Sequence, residues 1–168
     1  MLRMTVMRRF LKTRFVLTLA AVLLASGIAT ASAQNNWVGI RTGYPLGLTV
    51  HYGRVNGFGP GADMRISGRI EVHNNVARYG LGVDVLHTVY YDSPFSVYIG
   101  AGPAIETGSG GTWLDVHGLI GSEFRFVNVG APQIGLFAEG TLGGVIGISN
   151  QPSEIPSVGL ALGVNYHF

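Results

Sequence analysis

The chain has 168 residues, of which 47% are hydrophobic and only 12% charged, with 26 glycines and no cysteine. The lack of cysteine excludes disulfides, cysteine-ligated zinc sites and cysteine catalysis. Five of the 11 basic residues lie in the first 14 positions, so the remainder carries 6 basic and 9 acidic groups, a net charge near −3 (6 − 9). A basic nucleic-acid-binding domain is therefore not expected, and so much glycine argues against a helix-rich domain.

The N-terminal segment predicts a secretory signal peptide over residues 1–33. A basic stretch ending at Arg14 precedes an apolar run of 13 residues, 15–27, and Ala31-Ser32-Ala33 follows. A positive region, an apolar region and a small-x-small cleavage site in this order are typical of exported proteins. The alternative is a transmembrane anchor helix, which needs about 20 apolar residues. We therefore expect export, with one domain formed by residues 34–168.

The rest of the chain alternates with period two between apolar residues and small or charged ones, which predicts β-strands. Eight strands are predicted, separated by connections rich in glycine, proline and asparagine: 37–43, 46–53, 62–72, 79–91, 95–106, 113–126, 134–147 and 157–168. The connections, among them 54–61, 127–133 and 149–156, are too short for a parallel crossover. Neighbouring strands must then pair antiparallel, as a meander.

One face of every predicted strand is apolar, and the other combines glycine with most of the charges. Of the 15 charged residues in 34–168, 11 lie on this second face, four arginines and seven acids, together with His51, His117 and His167. The candidate lumen network consists of Arg41, Asp63, Arg65, Arg69, Glu71, Asp84, Glu106, Asp115, His117, Glu123, Arg125 and Glu139. The remaining charges are assigned to connections: Arg54, Arg78, Asp92 and Glu154.

The bulk of the apolar face decides which side of the sheet is inside. An eight-stranded barrel has an interior just wide enough for side chains, so six or seven bulky groups from each strand would overfill it. Glycines and a few charges fit, while the apolar face meets lipid and closure satisfies every backbone group. The predicted fold is all-β: an eight-stranded antiparallel up-and-down transmembrane β-barrel. The alternative, a soluble ligand-binding barrel of lipocalin type, requires the apolar face inside.

Outward aromatic residues collect at one rim if both termini are periplasmic, which predicts an interfacial girdle. Its members are Tyr52, Tyr91, Phe95, Phe124, Phe126, Tyr166 and Phe168. His87 is the one lipid-facing titratable residue in this scheme, and its ring is expected to reach the headgroups near the same rim.

With this pattern, the chain resembles the small bacterial outer-membrane barrels of the OmpA/OmpX type. The likeness rests on the Ala-Ser-Ala leader, the eight amphipathic strands and a last strand that ends on an aromatic residue. The resemblance implies residence in the outer membrane after signal-peptide-dependent export, in contact with outer-membrane lipid. It also implies an assembly signal for the barrel assembly machinery, carried by the alternating residues Leu160, Leu162, Val164, Tyr166 and Phe168. The first outer connection is minimal, which departs from that family and argues against a loop-based adhesin.

The inward charges are expected to pair and plug the lumen, because isolated ions in a narrow interior are costly. The predicted role is structural or envelope-interacting, with no catalytic centre, cofactor or metal, and we expect a monomer. A narrow pore is an alternative, cation-preferring because acids exceed arginines. A lipid A-modifying enzyme is another, but it needs a histidine beside a serine and an acid, and His117 and Ser122 lie on opposite faces of one strand.

Overall fold

The computed structural model describes residues 34–73, 76–108, 110–148 and 151–168. The predicted signal peptide, 1–33, lies outside the described residues, as do the turn positions 74–75, 109 and 149–150. Within the described ranges, no helix is long and apolar enough to cross a bilayer.

Eight strands make up most of the described chain, and they lie where the period-two pattern predicts them. They are β1 (Asn36–Tyr44), β2 (Gly47–Gly59), β3 (Ala62–His73), β4 (Val76–Asp92), β5 (Phe95–Gly108), β6 (Gly111–Phe126), β7 (Ala131–Ile148) and β8 (Glu154–His167). A short 3-10 helix, Val127–Val129, lies between β6 and β7.

Each strand pairs antiparallel with its neighbour in sequence, and β1 pairs with β8, so the sheet closes into a barrel. Trp37 lies opposite His167 and Tyr44 opposite Leu160, so β1 is paired with the last strand along its length. The predicted all-β, eight-stranded, antiparallel up-and-down barrel is confirmed. Closure leaves no unpaired sheet edge.

The two ends of the barrel carry different connections. One end, which we call the terminal end, holds the start of β1, the end of β8, the turns 60–61 and 93–94, and the 3-10 helix. At the far end, β1 is followed by β2, β3 by β4, β5 by β6 and β7 by β8. The long connection predicted at 54–61 is wrong, because β2 continues to Gly59 beyond a register shift after Arg54. The one predicted at 127–133 is also shorter, since β7 begins at Ala131.

Exposure alternates along the strands and places aliphatic side chains outside and charged ones inside. Leu81 on the outer face is 73% exposed, whereas Arg65 and Asp84 on the inner face are 2% and 1% exposed. The inner face also contains an apolar cluster of Trp37, Leu86 and Leu119, and Val55 and Tyr98 pack against it. The interior is therefore filled by both ion pairs and apolar side chains.

Candidate functional site in the barrel lumen

Glu139 on β7 lies at the centre of the charged side chains in the lumen. Its carboxylate accepts hydrogen bonds from Arg41 on β1 and Arg65 on β3, one guanidinium on each oxygen. The hydroxyl of Tyr98 on β5 donates to Oε1 of the same carboxylate at 2.8 Å. The side chain of Glu139 is fully enclosed. One carboxylate therefore joins four strands across the interior.

Asp84 on β4 extends this arrangement away from Glu139. Its Oδ2 accepts from Nε of Arg65 at 2.9 Å, and its Oδ1 lies 3.2 Å from Nε2 of His117 on β6. The other ring nitrogen of His117, Nδ1, lies 3.3 Å from Oδ1 of Asp115. His117 thus has a carboxylate on each side, and it connects the pairs at Arg65 with those further towards the far end.

The chain of ion pairs ends beside a tryptophan near the far end. Asp115 accepts from Nη2 of Arg69 at 2.5 Å, and Nε of Arg69 lies 3.0 Å from Glu106. Glu106 in turn lies 3.5 Å from Nη1 of Arg78, whose guanidinium stacks 4.2 Å from the centre of the Trp113 ring.

We call this continuous set the central network. It comprises Arg41, Arg65, Arg69, Arg78, Asp84, Glu106, Asp115, His117 and Glu139. Four arginines face four carboxylates in this set, so their formal charges cancel. Mutual pairing of this kind is what makes buried ions tolerable in a narrow interior.

A second group of polar side chains lies at the terminal end. Glu123 on β6 contacts Nε2 of His167 and Nδ2 of Asn165, each at 2.6 Å, and Nε of Arg125 at 3.3 Å. Arg125 Nη2 lies 2.6 Å from Nδ1 of His167, so the imidazole accepts there and donates from Nε2 to Glu123. We call Glu123, Arg125, Asn165 and His167 the terminal cluster. It ties the last strand, β8, to β6 across the lumen.

His51 on β2 joins the terminal cluster from the opposite wall. Its Nε2 lies 2.8 Å from Oδ1 of Asn165. Because Asn165 donates its amide to Glu123, the Oδ1 atom is the acceptor and His51 donates from Nε2. The His51 ring also packs edge-on to Phe137, with the ring centres 5.6 Å apart.

Ten of the twelve residues predicted for the lumen are members of these two groups, and Asp63 and Glu71 lie nearer the ends of the barrel. Asp63 lies near the β2–β3 turn, where Oδ1 accepts the backbone N–H of Asn56 at 2.8 Å. Glu71 lines the far-end opening of the lumen beside Arg69 and Arg78. The assignment of Arg54, Arg78, Asp92 and Glu154 to connections is wrong, because all four lie within strands. Arg78, on β4, belongs to the central network.

One member of the predicted aromatic girdle is misplaced. A register shift in the pairing of β4 with β5 sets Thr88 opposite Tyr98 and Tyr90 opposite Val97, leaving Val89 as the extra residue. A bulge of this kind reverses the alternation beyond it. Tyr90 therefore takes the outward position, where its ring lies 6.5 Å from that of Phe95. Tyr91 instead pairs with Ser96 and lines the lumen mouth.

The other predicted outward residues keep their positions on the wall. Phe124 and Phe126 contact each other edge-on, and the hydroxyl of Tyr52 donates to Asn36 Oδ1 at 2.8 Å. In the second half of β8, Leu160, Leu162, Val164 and Tyr166 are exposed, and Phe168 follows the strand. Recognition of this strand by the assembly machinery stays a prediction. His87 also faces outward, and its Nδ1–H donates to the carbonyl of Gly61 at 2.7 Å.

The inner face also holds large apolar side chains that were not predicted for the lumen. They are Trp37, Leu86, Tyr98, Trp113, Leu119, Phe137 and Val145. A signal was present, because Leu86, Trp113 and Phe137 lie two residues from Asp84, Asp115 and Glu139 and so share their face. These apolar residues were overlooked because the inner face was assigned from its charged residues only.

The barrel is similar to two solved outer-membrane structures. The N-terminal β-barrel domain of Pseudomonas aeruginosa OprF matches with a TM-score of 0.53 and 14% sequence identity, over 79% of this chain and 95% of that one. Neisserial surface protein A (NspA) matches with a TM-score of 0.57 and 16% identity, over 79% of this chain and 93% of that one. No protein-family model and no curated protein sequence matches the chain. By fold, the protein is a small eight-stranded barrel of the outer-membrane type.

Proposed function

We propose that the protein is an integral barrel of the bacterial outer membrane, exported by its signal peptide, with a structural or envelope-interacting role and a closed lumen. The main support for the proposal is that the barrel wall is apolar on its outer face and ionic on its inner face, the reverse of a soluble protein. Each strand exposes bulky aliphatic residues, for example Ile40, Leu48, Ile66, Leu81, Ile99, Ile120, Leu136 and Leu160. Soluble proteins rarely expose an apolar patch larger than a few hundred Å², whereas this wall suits hydrocarbon.

The central network supports a closed lumen. Arg41 lines the far-end opening and Arg65 lines a cavity at the terminal end, and both donate to the enclosed carboxylate of Glu139. An ion crossing the barrel would have to separate these pairs. Leaving a buried charge without its partner costs about 3–5 kcal/mol, so an open path is disfavoured.

The short connections support a role carried by the barrel wall and its rims. The turns 45–46, 60–61 and 93–94 have two residues each, and the 149–153 connection has five. Long extracellular loops are the usual place for ligand recognition in such barrels. Contacts with envelope components are therefore proposed at the wall and rims.

The proposal is tested first by extraction and electrophoresis. The full chain, expressed with its leader in a bacterium, should need detergent to leave the outer-membrane fraction. The folded protein should migrate differently on a semi-native gel before and after boiling, because the closed barrel resists unfolding until heated. Release without detergent, or identical migration, would contradict the membrane barrel.

Planar-bilayer recordings separate the closed lumen from the alternative of a narrow cation-preferring pore. The wild-type protein should show no large, stable conductance. Glu139→Gln should increase the frequency of openings, whereas Asp63→Asn, at the rim, should not. A large and stable cation-selective current through the wild type would favour the pore.

We propose no catalytic activity for the barrel, although a lipid A-modifying enzyme was an alternative. Ser122 pairs with Val97 and Ala138 on the outer face, while His117 is enclosed among carboxylates in the lumen. Incubation with outer-membrane lipid should therefore release no fatty acid, and release that depends on His117 would contradict the proposal.

A further inference from the structure

A cavity of about 320 Å³ lies inside the terminal end of the barrel, and Tyr91 and the turn 93–94 line its mouth. The volume lies at the lower end of the range for small-molecule sites, about 300–1,000 Å³. Its lining combines aromatic and aliphatic side chains with the carboxylate of Asp63. We propose that this cavity binds a small organic cation, whose ammonium group contacts Asp63 and whose body is aromatic or branched and apolar.

Asp63 on β3 supplies the charge that selects a cation. Its Oδ1 accepts the backbone N–H of Asn56 at 2.8 Å, which fixes the carboxylate near the β2–β3 turn. Its Oδ2 keeps exposed surface and accepts no hydrogen bond from any described residue, and the half-buried side chain forms no ion pair within the described chain. Arg54, which pairs with Met64, is exposed and does not line the cavity. An ammonium group on a ligand would therefore find an acceptor that no side chain occupies.

The other charged groups that line the cavity already have partners. Arg65 pairs with both Asp84 and Glu139, so an anionic ligand would bring a third negative group to the same guanidinium. Arg125 pairs with Glu123, the second acid of the lining. The one charge of the lining without an ionic partner is thus negative, which favours a positive ligand over a neutral or an anionic one.

The walls beside this carboxylate determine the body of the ligand. Leu86 lies directly opposite Asp63 in the pairing of β3 with β4, so the charge and the apolar wall are adjacent. Trp37 and Leu86 belong to the apolar cluster of the lumen, and Val55 packs against it. Such walls favour the burial of apolar surface, and the rings of Trp37 and Tyr91 attract cations at their faces. The cavity therefore suits a molecule that is apolar over most of its surface and positive at one end.

Two tryptophans at opposite ends of the lumen make the site directly testable. Trp37 forms part of the cavity wall, whereas Trp113 stacks with Arg78 near the far end. In Trp113→Phe the remaining tryptophan fluorescence reports on the cavity, and in Trp37→Phe it reports on the far end. The full chain is extracted folded from outer membranes in mild detergent and titrated at neutral pH with phenethylamine, phenethyl alcohol or phenylacetate, which share an aromatic body and differ in charge.

The expected result is a saturable change in Trp37 fluorescence with phenethylamine, half-complete at about millimolar concentration for so small a ligand. Phenethyl alcohol and phenylacetate should bind at least about tenfold more weakly, because neither brings a positive charge to Asp63. An equal response of Trp113 would show partitioning into the detergent and would overturn the site. Equal or tighter binding of the neutral or the anionic probe would overturn the cationic class.

Asp63→Asn tests the carboxylate directly, and Asp92→Asn is its matched control. Asp92 lies at the same end of the barrel and is exposed, but it does not line the cavity. Asp63→Asn should weaken phenethylamine binding at least about tenfold, because a charge-assisted hydrogen bond is roughly twice as strong as a neutral one. Asp92→Asn should change it by no more than about twofold, since salt screens an exposed charge. Equal losses in the two variants, or no loss in Asp63→Asn, would overturn the assignment to Asp63.

The heat shift on a semi-native gel shows whether each variant still folds. If Asp63→Asn fails to fold, Thr88→Phe replaces it, because Thr88 is exposed and lines the cavity. The added ring should fill the cavity and weaken phenethylamine binding at least about tenfold, and unchanged binding in this folded variant would overturn the proposal. Because the fluorescence readout does not depend on conductance, the result is independent of whether the barrel is a pore.

Discussion

The inner and outer faces of the barrel wall use the same eight strands but pack by different rules. On the outer face, a Cβ added at Gly140 would find its nearest neighbour, Leu160, at 3.8 Å. On the inner face, a Cβ at Gly163 would overlap the main-chain oxygen of Ile40 and the ring of Phe137. The outer side chains stand apart, whereas around Gly163 the inner ones leave no room for an added methyl group.

The two faces are therefore sensitive to different substitutions. The inner face depends on the pairing of enclosed charges and on volume, because Arg65, Asp84 and Glu139 are almost fully shielded from solvent. The outer face depends on its match to hydrocarbon and tolerates changes of shape better than changes of polarity. Substitutions on the two faces should therefore differ in kind as well as in size.

The largest effect is expected at Glu139. Replacing Glu139 by Gln leaves Arg41 and Arg65 without the carboxylate that joins them, which should lower the free energy of unfolding by about 3–5 kcal/mol. Urea unfolding of the barrel in lipid vesicles, followed by tryptophan fluorescence, measures the loss. Asp63→Asn is the control, because half-buried Asp63 accepts one backbone hydrogen bond near the β2–β3 turn. Equal losses in the two variants would show that the central network is not what holds the interior together.

A charge on the outer face should have the next largest effect. Ile120 lies near the middle of β6 and is 59% exposed. Ile120→Arg should destabilise the barrel in vesicles by about 2–4 kcal/mol, and Leu46→Arg at the far-end turn by only about 0–1 kcal/mol, because the cost falls with distance from the bilayer centre. An Ile120→Arg variant as stable as the wild type would indicate that the outer face meets water.

The smallest effect is expected when a single methyl group is added to each face. Gly163→Ala should lower stability by about 1–3 kcal/mol, because the main chain of β1 cannot move away from the added methyl group. Gly140→Ala adds the same atoms on the outer face and should stay within about 0.5 kcal/mol of the wild type. Thermal unfolding monitored by the semi-native gel distinguishes the two. Similar stability of both variants would mean that the inner face has more freedom than the structure indicates.

The sequence predicted the strands and their faces well, because both depend on local properties. Alternation with period two is set within each strand, so Asp63, Arg65, Arg69 and Glu71 share a face wherever β3 is placed. Where local geometry departed from ideal alternation, the prediction failed. The extra residue Val89 places Tyr91 on the inner face. The neighbouring residues contain no sequence signal that predicts this bulge.

The sequence predicted most members of the central network, but not which of them contact each other. The pattern placed Arg65, Asp84 and Glu139 on the inner face, yet Glu139 is 74 residues from Arg65 and meets it only across the closed barrel. Arg78 and the cavity at the terminal end were not foreseen, because the stagger of the strands sets which side chains share a height.

Residue spacing and the short connections, which act over a few positions, were enough to predict eight antiparallel strands with one apolar and one ionic face. The pairing of each carboxylate with its guanidinium, and the cavity at the terminal end, depend instead on the closed barrel. Such contacts join residues far apart in the chain, and they arise only when β1 closes on β8 and brings opposite walls within reach.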